Sequence, residues 1–235
     1  MTINIITICT GKYEMFFESF YKSCEKFFLK EHTKKFFVFT DGDLIKNSDT
    51  INKISQKKLG WPYDTMMRFK MFNSISEKLL ESDYTFFFNA NMIFVNDVGD
   101  EVLPNESTDF LMGVNHPGFF NKSNFEFTYE RNINSQFYIP FGDGKFYYQG
   151  CFNGGRTSEF LTMSKELDEK IDIDLSKGII PVWHDESALN WYYSKINPLI
   201  VSPSYAYPES SSLNLPKKII QIDKSKLGGH NYLRN

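Results

Sequence analysis

Short apolar runs rich in β-branched and aromatic residues alternate with amphipathic stretches, and this order constrains the fold more than any other feature. Ile3–Cys9 reads as a buried strand. From Lys12 to Lys30, Phe16, Phe20, Cys24 and Phe27 or Phe28 recur at helical spacing as one apolar stripe. Lys35–Thr40 (KFFVFT) reads as a second strand, ended by the turn residues Asp41-Gly-Asp43. Residues 47–59 are mixed and leave room for a short strand. Thr65–Ser82 reads as a second helix, with Met66, Phe69 and Leu79 or Leu80 on its buried face. Tyr84–Phe88 is a third strand, running through Asn89-Ala-Asn91 into Met92–Val95. This βαβ alternation predicts an α/β chain with a largely parallel, doubly wound sheet. In such sheets ligands bind at the carboxyl ends of the strands, where Asn89–Asn91 falls.

The second half has a different texture. Residues 113–160 are rich in Gly, Phe, Tyr and Asn and show little helical period until Thr157–Glu169. They read as short strands joined by long loops, and loops of that length are usually functional or disordered. Their aromatic content argues against disorder. Ile179–Val182 is expected to be a strand and Asp185–Lys195 a helix. The tail from Lys217 carries Lys217, Lys218, Lys224, Lys226, His230 and Arg234. No repeat, low-complexity tract or linker divides the chain, so one domain is expected.

Composition narrows the function. The 235 residues include 24 Phe, 13 Tyr and 3 Trp but only three Ala. A helical bundle would lean on Ala and Leu instead. A net charge of −3 argues against nucleic acid as a partner. No apolar run approaches the roughly 18 residues of a membrane span. The amino-terminal residues lack the basic start of a signal peptide, so a cytoplasmic protein without a membrane anchor is expected. Cys9, Cys24 and Cys151 are an odd, scattered set, which fits free thiols in a reducing compartment.

Several clusters have chemistry to offer. Trp183-His184-Asp185-Glu186 is the densest. Alone, it reads as a helix start with acidic first-turn residues. In a cleft, one of its carboxylates becomes a base, a nucleophile or a charge stabiliser. Asn89-Ala-Asn91 sits where a nucleotide-sugar enzyme often carries Asp-x-Asp to hold a divalent ion against a diphosphate. Asn brings neutral oxygens and N–H donors but no charge. Literal Asp-x-Asp occurs at Asp41–Asp43, read as a turn, and at Asp172–Asp174, read as an exposed segment. His116 opens a turn, and Gly150–Gly155 permits close backbone approach without a dinucleotide-binding pattern.

Five ordered motifs then carry a resemblance. HPGF (116–119), FTYER (127–131), SQFYIP (135–140), FYYQGCFNGG (146–155) and VWHDESALN (182–190) resemble the family-six glycosyltransferases, the family of the histo-blood-group A and B transferases and the α-1,3-galactosyltransferase. The resemblance runs from about Ile3 to Arg234 and looks like that of a short bacterial member. It implies a GT-A fold, a single Rossmann-like doubly wound mixed sheet flanked by helices. Residues 1–100 would mainly bind UDP and donor, 101–216 would hold acceptor and catalytic groups, and 217–235 would close over the diphosphate. The implied reaction is retaining transfer of N-acetylgalactosamine from UDP to the 3-hydroxyl of a galactose, fucosylated as in the H antigen. Galactose is the alternative donor sugar.

The resemblance also implies roles. Ile8, Cys9, Thr10 and Tyr13 match the uridine-contacting start, and Trp61 and Arg68 the stretch that reaches the donor. Gln149, Gly150 and Cys151 fall where donor sugars are told apart. Asp185 is assigned with the donor-binding residues and Glu186 to the catalytic carboxylate. His116, Thr128 and Trp183 match acceptor positions. Lys226 and Arg234, with Lys224 nearby, fall in the closing tail. Asn89 and Asn91 replace the two Asp that hold manganese in mammalian members, so no divalent metal is expected and cations must stabilise the departing UDP. Two other classes remain. A carbohydrate-binding module would use the rings but bind no UDP. A glycoside hydrolase would pair Glu186 with Asp185 or Glu130 and release free sugar.

Overall fold

The computed structural model describes residues 1–234. In chain order its regular elements are β1 (Thr2–Ile8), α1 (Phe17–Phe27), β2 (Thr33–Thr40), β3 (Ile51–Ser55), α2 (Tyr63–Met66), α3 (Arg68–Asn73), α4 (Ser76–Leu79), β4 (Tyr84–Asn89) and β5 (Met92–Phe94). The second half adds β6 (Leu111–Asn115), β7 (Tyr148–Arg156), α5 (Thr157–Ser176), α6 (Asp185–Tyr193), β8 (Leu199–Val201), β9 (Tyr207–Pro208), β10 (Ile219–Gln221) and α7 (Gly229–Arg234).

Seven strands form one sheet in the order β3-β2-β1-β4-β7-β6-β8. The β3-β2-β1-β4 half is parallel, as the alternation predicts. β7 runs antiparallel to both β4 and β6, so the sheet is mixed. A smaller sheet, β5-β10-β9, lies beside it. This is the GT-A architecture.

Strand residues alternate between two cores, one on each face. Ile5, Phe36, Val38, Phe86 and Phe88 pack beneath α1. Ile6, Phe37, Phe39 and Phe87 pack against α3, α5 and α6. Burial on both faces is why these strands read as unbroken apolar runs. Phe28 meets Phe86 and Phe88 edge-on, at 5.6 and 5.3 Å, and Phe88 stacks on Phe152 at 4.2 Å. Such pairs add about 0.5–1.5 kcal/mol each beyond area burial. Phenylalanine thus fills the space that Ala and Leu fill elsewhere.

Several sequence expectations change. The stretch from Lys12 begins as a 3₁₀ turn, Gly11–Phe16, before α1 starts. The helix expected over Thr65–Ser82 is broken into α2, α3 and α4. Met67 and Ile75 leave helical geometry at ψ 11° and 19°. At the first break Arg68 Nε donates to the Thr65 carbonyl (3.1 Å), so a side chain takes an acceptor the helix would use. Ile179–Val182 is not a strand. Ile179 N–H bonds the Asp174 carbonyl, and Val182 N–H bonds the Glu130 carboxylate at 2.7 Å. Those donors are therefore withheld from any sheet. α5 runs on to Ser176, seven residues past its expected end at Glu169.

Asp174 is buried rather than exposed. It accepts from Ser135 Oγ (2.6 Å) and Gln136 N–H (2.8 Å), pinning the 116–147 loop to α5. Glu130 does the same work by bonding the N–H groups of Asn132 and Val182. Among the described residues no helix is long and apolar enough to cross a membrane.

Candidate active site

The strand order reverses direction between β1 and β4, and Ile8 pairs in register with Asn89 there. A cavity opens over these strand ends, at the switch point where doubly wound sheets bind ligands. Of the residues expected at the donor, Ile8, Thr10, Tyr13, Trp61, Arg68, Asn89, Asn91 and Arg234 line it. Lys58, Asp64, Thr65, Lys224 and Leu233 are among its other walls. Cys9 does not join them. Its side chain is buried in the α1-side core, which pushes the thiol pKa up to about 12 and keeps it neutral.

Besides Arg68, which is paired with Asp185, three further cations line this cavity: Lys58, Lys224 and Arg234. Burial, together with repulsion from Arg234 and Arg68, lowers the Lys224 ammonium to about 8. Among the described residues no carboxylate pairs with this ammonium. Lys226 is placed otherwise. Its ammonium is turned outward onto Glu209 at 2.8 Å, so the structure brings Lys224, not Lys226, to the cavity. Both lie on one 3₁₀ turn, Lys224–Leu227, where a two-residue step changes the face. Arg234 lies 4.7 Å from the Trp61 ring, and Trp61 meets His184 edge-on at 4.9 Å.

A second compartment shares Trp61, Thr65, Arg68, Asn89 and Arg234 with the first and adds Gln149, Gly150, Cys151, Trp183, Asp185 and Glu186. The two form one cleft. His184, with φ 55°, turns the chain sharply into α6 and sets both carboxylates in the helix's first turn. Asp185 pairs with Arg68 at 2.7 Å, and both side chains are buried. Burial raises Asp185 to about 6 against the pull of Arg68. The same Arg68 nitrogen donates to the Gly150 carbonyl at 2.8 Å. The Gly150 N–H donates to Glu186 Oε2 at 2.9 Å. Gly150 therefore holds one active group by each side of its backbone. Burial raises Glu186 to about 7, opposed by that N–H and aided by the neighbouring Asp185 charge.

The residues expected at the acceptor divide. Trp183 lies in the cleft and is 48% exposed, open to a sugar face. His116 and Thr128 meet at Tyr147, whose side chain reaches Glu186, although neither of the two lines the cavities described above. His116 Nδ1 accepts from Gly118 N–H (2.9 Å), and burial lowers its pKa to about 4, so it is a neutral Nε2–H donor. Thr128 Oγ1 donates to the Tyr147 hydroxyl at 3.3 Å. Most second-half rings turn out to be packing rings. Tyr129 stacks on Tyr147, Phe137 meets Trp191, Tyr148 meets Tyr193, and all six are buried. Lys58 and Gln221 were missed. Gln221 accepts from Gln149 Nε2 at 3.1 Å across the cleft floor, and neither Lys58 nor Gln221 lies in a recognisable motif.

The cleft offers a divalent cation few free anionic ligands. Asn91 donates its amide N–H to the Ile222 carbonyl, which leaves Oδ1, a neutral oxygen, without a partner among the described residues. Asp64 accepts from the Leu59 N–H, and Asp185 is held by Arg68. Lys58, Lys224 and Arg234 already supply positive charge to the same space. Among the described residues no three His, Cys, Asp or Glu side chains gather as a metal site.

A family profile described as Glycosyltransferase family 6 matches residues 1–235. The O-antigen biosynthesis glycosyltransferase WbnI of Escherichia coli is 41% identical over 228 residues, which is 96% of both chains. The histo-blood group ABO system transferase 1 of Rattus norvegicus is 33% identical over 88% of this chain and 61% of its own length. The globoside alpha-1,3-N-acetylgalactosaminyltransferase 1 of Gallus gallus is 30% identical over 89% of this chain and 62% of its own. The chain thus spans about three fifths of these two animal relatives.

Proposed function

The chain belongs to glycosyltransferase family 6, and we propose that it moves N-acetylgalactosamine from UDP to the 3-hydroxyl of a galactose-terminated, fucosylated acceptor, with retention and without a divalent metal. One observation carries the reading: Glu186 stands in the same cleft as a cavity lined by Lys58, Lys224 and Arg234. The cavity over β1 and β4 takes the uridine and diphosphate, with Lys224 and Arg234 on the diphosphate. As the sugar–phosphate bond breaks, negative charge grows on the leaving oxygen, and fixed cations stabilise it without reorganising.

Glu186 faces the anomeric carbon. Retention follows if its carboxylate displaces UDP from that carbon and the acceptor hydroxyl, losing its proton, then displaces the carboxylate, or if it stabilises the oxocarbenium ion while the acceptor enters on the leaving-group face and gives its proton to the departing phosphate. Both routes need the ionised carboxylate, which Gly150 N–H orients. Trp183 offers its exposed ring to the acceptor. Two points favour N-acetylgalactosamine as donor sugar. Gly150 adds no side chain to the cleft, and the Cys151 thiol is packed in the core. The globoside relatives, named as α-1,3-N-acetylgalactosaminyltransferases, agree in type.

One assay grid tests the reading. UDP-N-acetylgalactosamine and UDP-galactose are crossed with fucosylated and plain galactosides, each with and without EDTA. The expected result is an α-linked N-acetylgalactosamine product on the fucosylated acceptor, unaffected by EDTA. Free sugar without transfer would make the protein a hydrolase. Activity lost to EDTA and restored by manganese would overturn the metal-free reading.

A further inference from the structure

Asn91 and Lys224 lie far apart in sequence but line one cavity, and a short run of bonds joins them. Asn91 is 1% exposed. Its carbonyl accepts from Ile222 N–H at 2.8 Å, and its side-chain Nδ2 donates to the Ile222 carbonyl at 3.0 Å. These two bonds extend the β5–β10 ladder, in which Gln221 opposes Met92, by one further step. The side chain thus replaces a strand where strand pairing ends. Among the described residues Asn91 Oδ1 is buried without a partner, so the bond to Ile222 fixes the amide's orientation. Past Ile222, Asp223 caps the 3₁₀ turn by accepting from Ser225 N–H at 2.9 Å. Glu209 accepts from Asp223 N–H at 2.8 Å. The turn is therefore gripped at Ile222 by Asn91 and at Asp223 by Glu209, which sends Lys224 inward and Lys226 outward.

We propose that Asn91 is a positioning residue for diphosphate binding: its amide clamps Ile222 and so holds the Lys224 ammonium in the cavity. The inference rests on the reading that Lys224 meets the diphosphate. It gives the amide at position 91 a function of its own, apart from the removal of a carboxylate. An Asp there would match Asn in size, lose the N–H and set an anionic oxygen against the Ile222 carbonyl.

Calorimetric titration with UDP and with uridine tests this on the wild type, Asn91→Ala, Asn91→Asp, Lys224→Ala and the Asn91→Ala/Lys224→Ala pair. Lys224→Ala is expected to weaken UDP by about tenfold or more, the scale of a charged hydrogen bond, and to leave uridine unchanged. Both Asn91 variants should weaken UDP several-fold, at about the same uridine affinity. The double variant should bind UDP no more weakly than Lys224→Ala. Uridine doubles as the folding control, since a general loss of structure weakens both ligands. The inference is overturned if the Asn91 variants bind UDP like wild type, weaken both ligands alike, or add in full to Lys224→Ala. If Lys224→Ala itself binds UDP like wild type, the reading of Lys224 falls and the inference falls with it.

Discussion

Gly150→Ala is the smallest change that probes the centre of the site. A Cβ built on Gly150 lies 2.6 Å from Asp185 Oδ2, about 0.8 Å inside ordinary contact. Asp185 has no easy retreat, because Arg68 grips that same oxygen at 2.7 Å and the Gly150 carbonyl at 2.8 Å. The strand or the ion pair must shift, and overpacking of this kind costs about 1–3 kcal/mol. For a chain of this size that lowers Tm by about 2–12 °C, at 2–4 °C per kcal/mol. The catalytic effect is larger. Any shift of Gly150 moves the N–H that orients Glu186, and a misplacement of about 1 Å costs on the order of 100-fold in rate. UDP affinity should hold, since Lys224 and Arg234 sit on other elements. Initial rates with saturating donor, a thermal melt and a UDP titration measure all three. A Gly150→Ala enzyme with wild-type kcat and wild-type Tm would refute the argument.

Other predictions follow from the same geometry. Glu186→Gln keeps shape and the Gly150 contact but removes charge, so kcat should fall by about 100-fold or more while UDP binds normally; a near-normal rate ends its assignment. The pH profile of kcat/KM should be bell-shaped. Glu186, raised to about 7, loses its charge as pH falls through that value, and Lys224, lowered to about 8, loses its charge as pH rises through that one. A flat profile from pH 6 to 9 would contradict both. Lys226→Ala should change kcat/KM by less than about twofold, because an exposed pair contributes little. Arg234→Ala should weaken UDP by about tenfold. The double variant should match Arg234→Ala alone, and a further loss would restore Lys226 to the site.

The parallel half of the fold was legible because strands buried on both faces leave an unmistakable apolar run, as in KFFVFT and TFFF. The break after Met66 was not, since it depends on Arg68 leaving the helix pattern to reach Gly150 and Asp185, partners distant in sequence. At the site, Glu186 is readable from VWHDESALN, and Arg68 and Arg234 only from the family resemblance; all three line the cleft. Lys224 and Lys226 were not separable, because their faces are set by the Asp223 cap and by Glu209. The roles of the second-half rings are hidden for a related reason. Tyr, Phe and Trp look alike in sequence whether they meet a ligand or one another, and here Tyr129, Phe137, Tyr147 and Tyr148 meet one another or other core rings.

The antiparallel β7 has a consequence for re-engineering donor choice. It brings Gln149, Gly150 and Cys151 to the cleft while hydrogen-bonding along β4 on one side and β6 on the other. The backbone comes so close that a Cβ at Gly154 would lie 2.4 Å from the Thr85 carbonyl oxygen. β10, from the far end of the chain, is zipped to β5 in the same way. The strands of the first hundred residues, β3-β2-β1-β4, thus meet those of the second half, β7-β6-β8, along one tightly packed seam, β4–β7, and the smaller sheet ties the two halves again, so the halves do not exchange cleanly as cassettes between relatives. A chimera joined near residue 100 would mate two foreign edges along the length of β4 and β7. Donor preference in this scaffold is open to change one side chain at a time, at positions such as Gln149 and Gln221 that face each other across the cleft without bearing on the ladder.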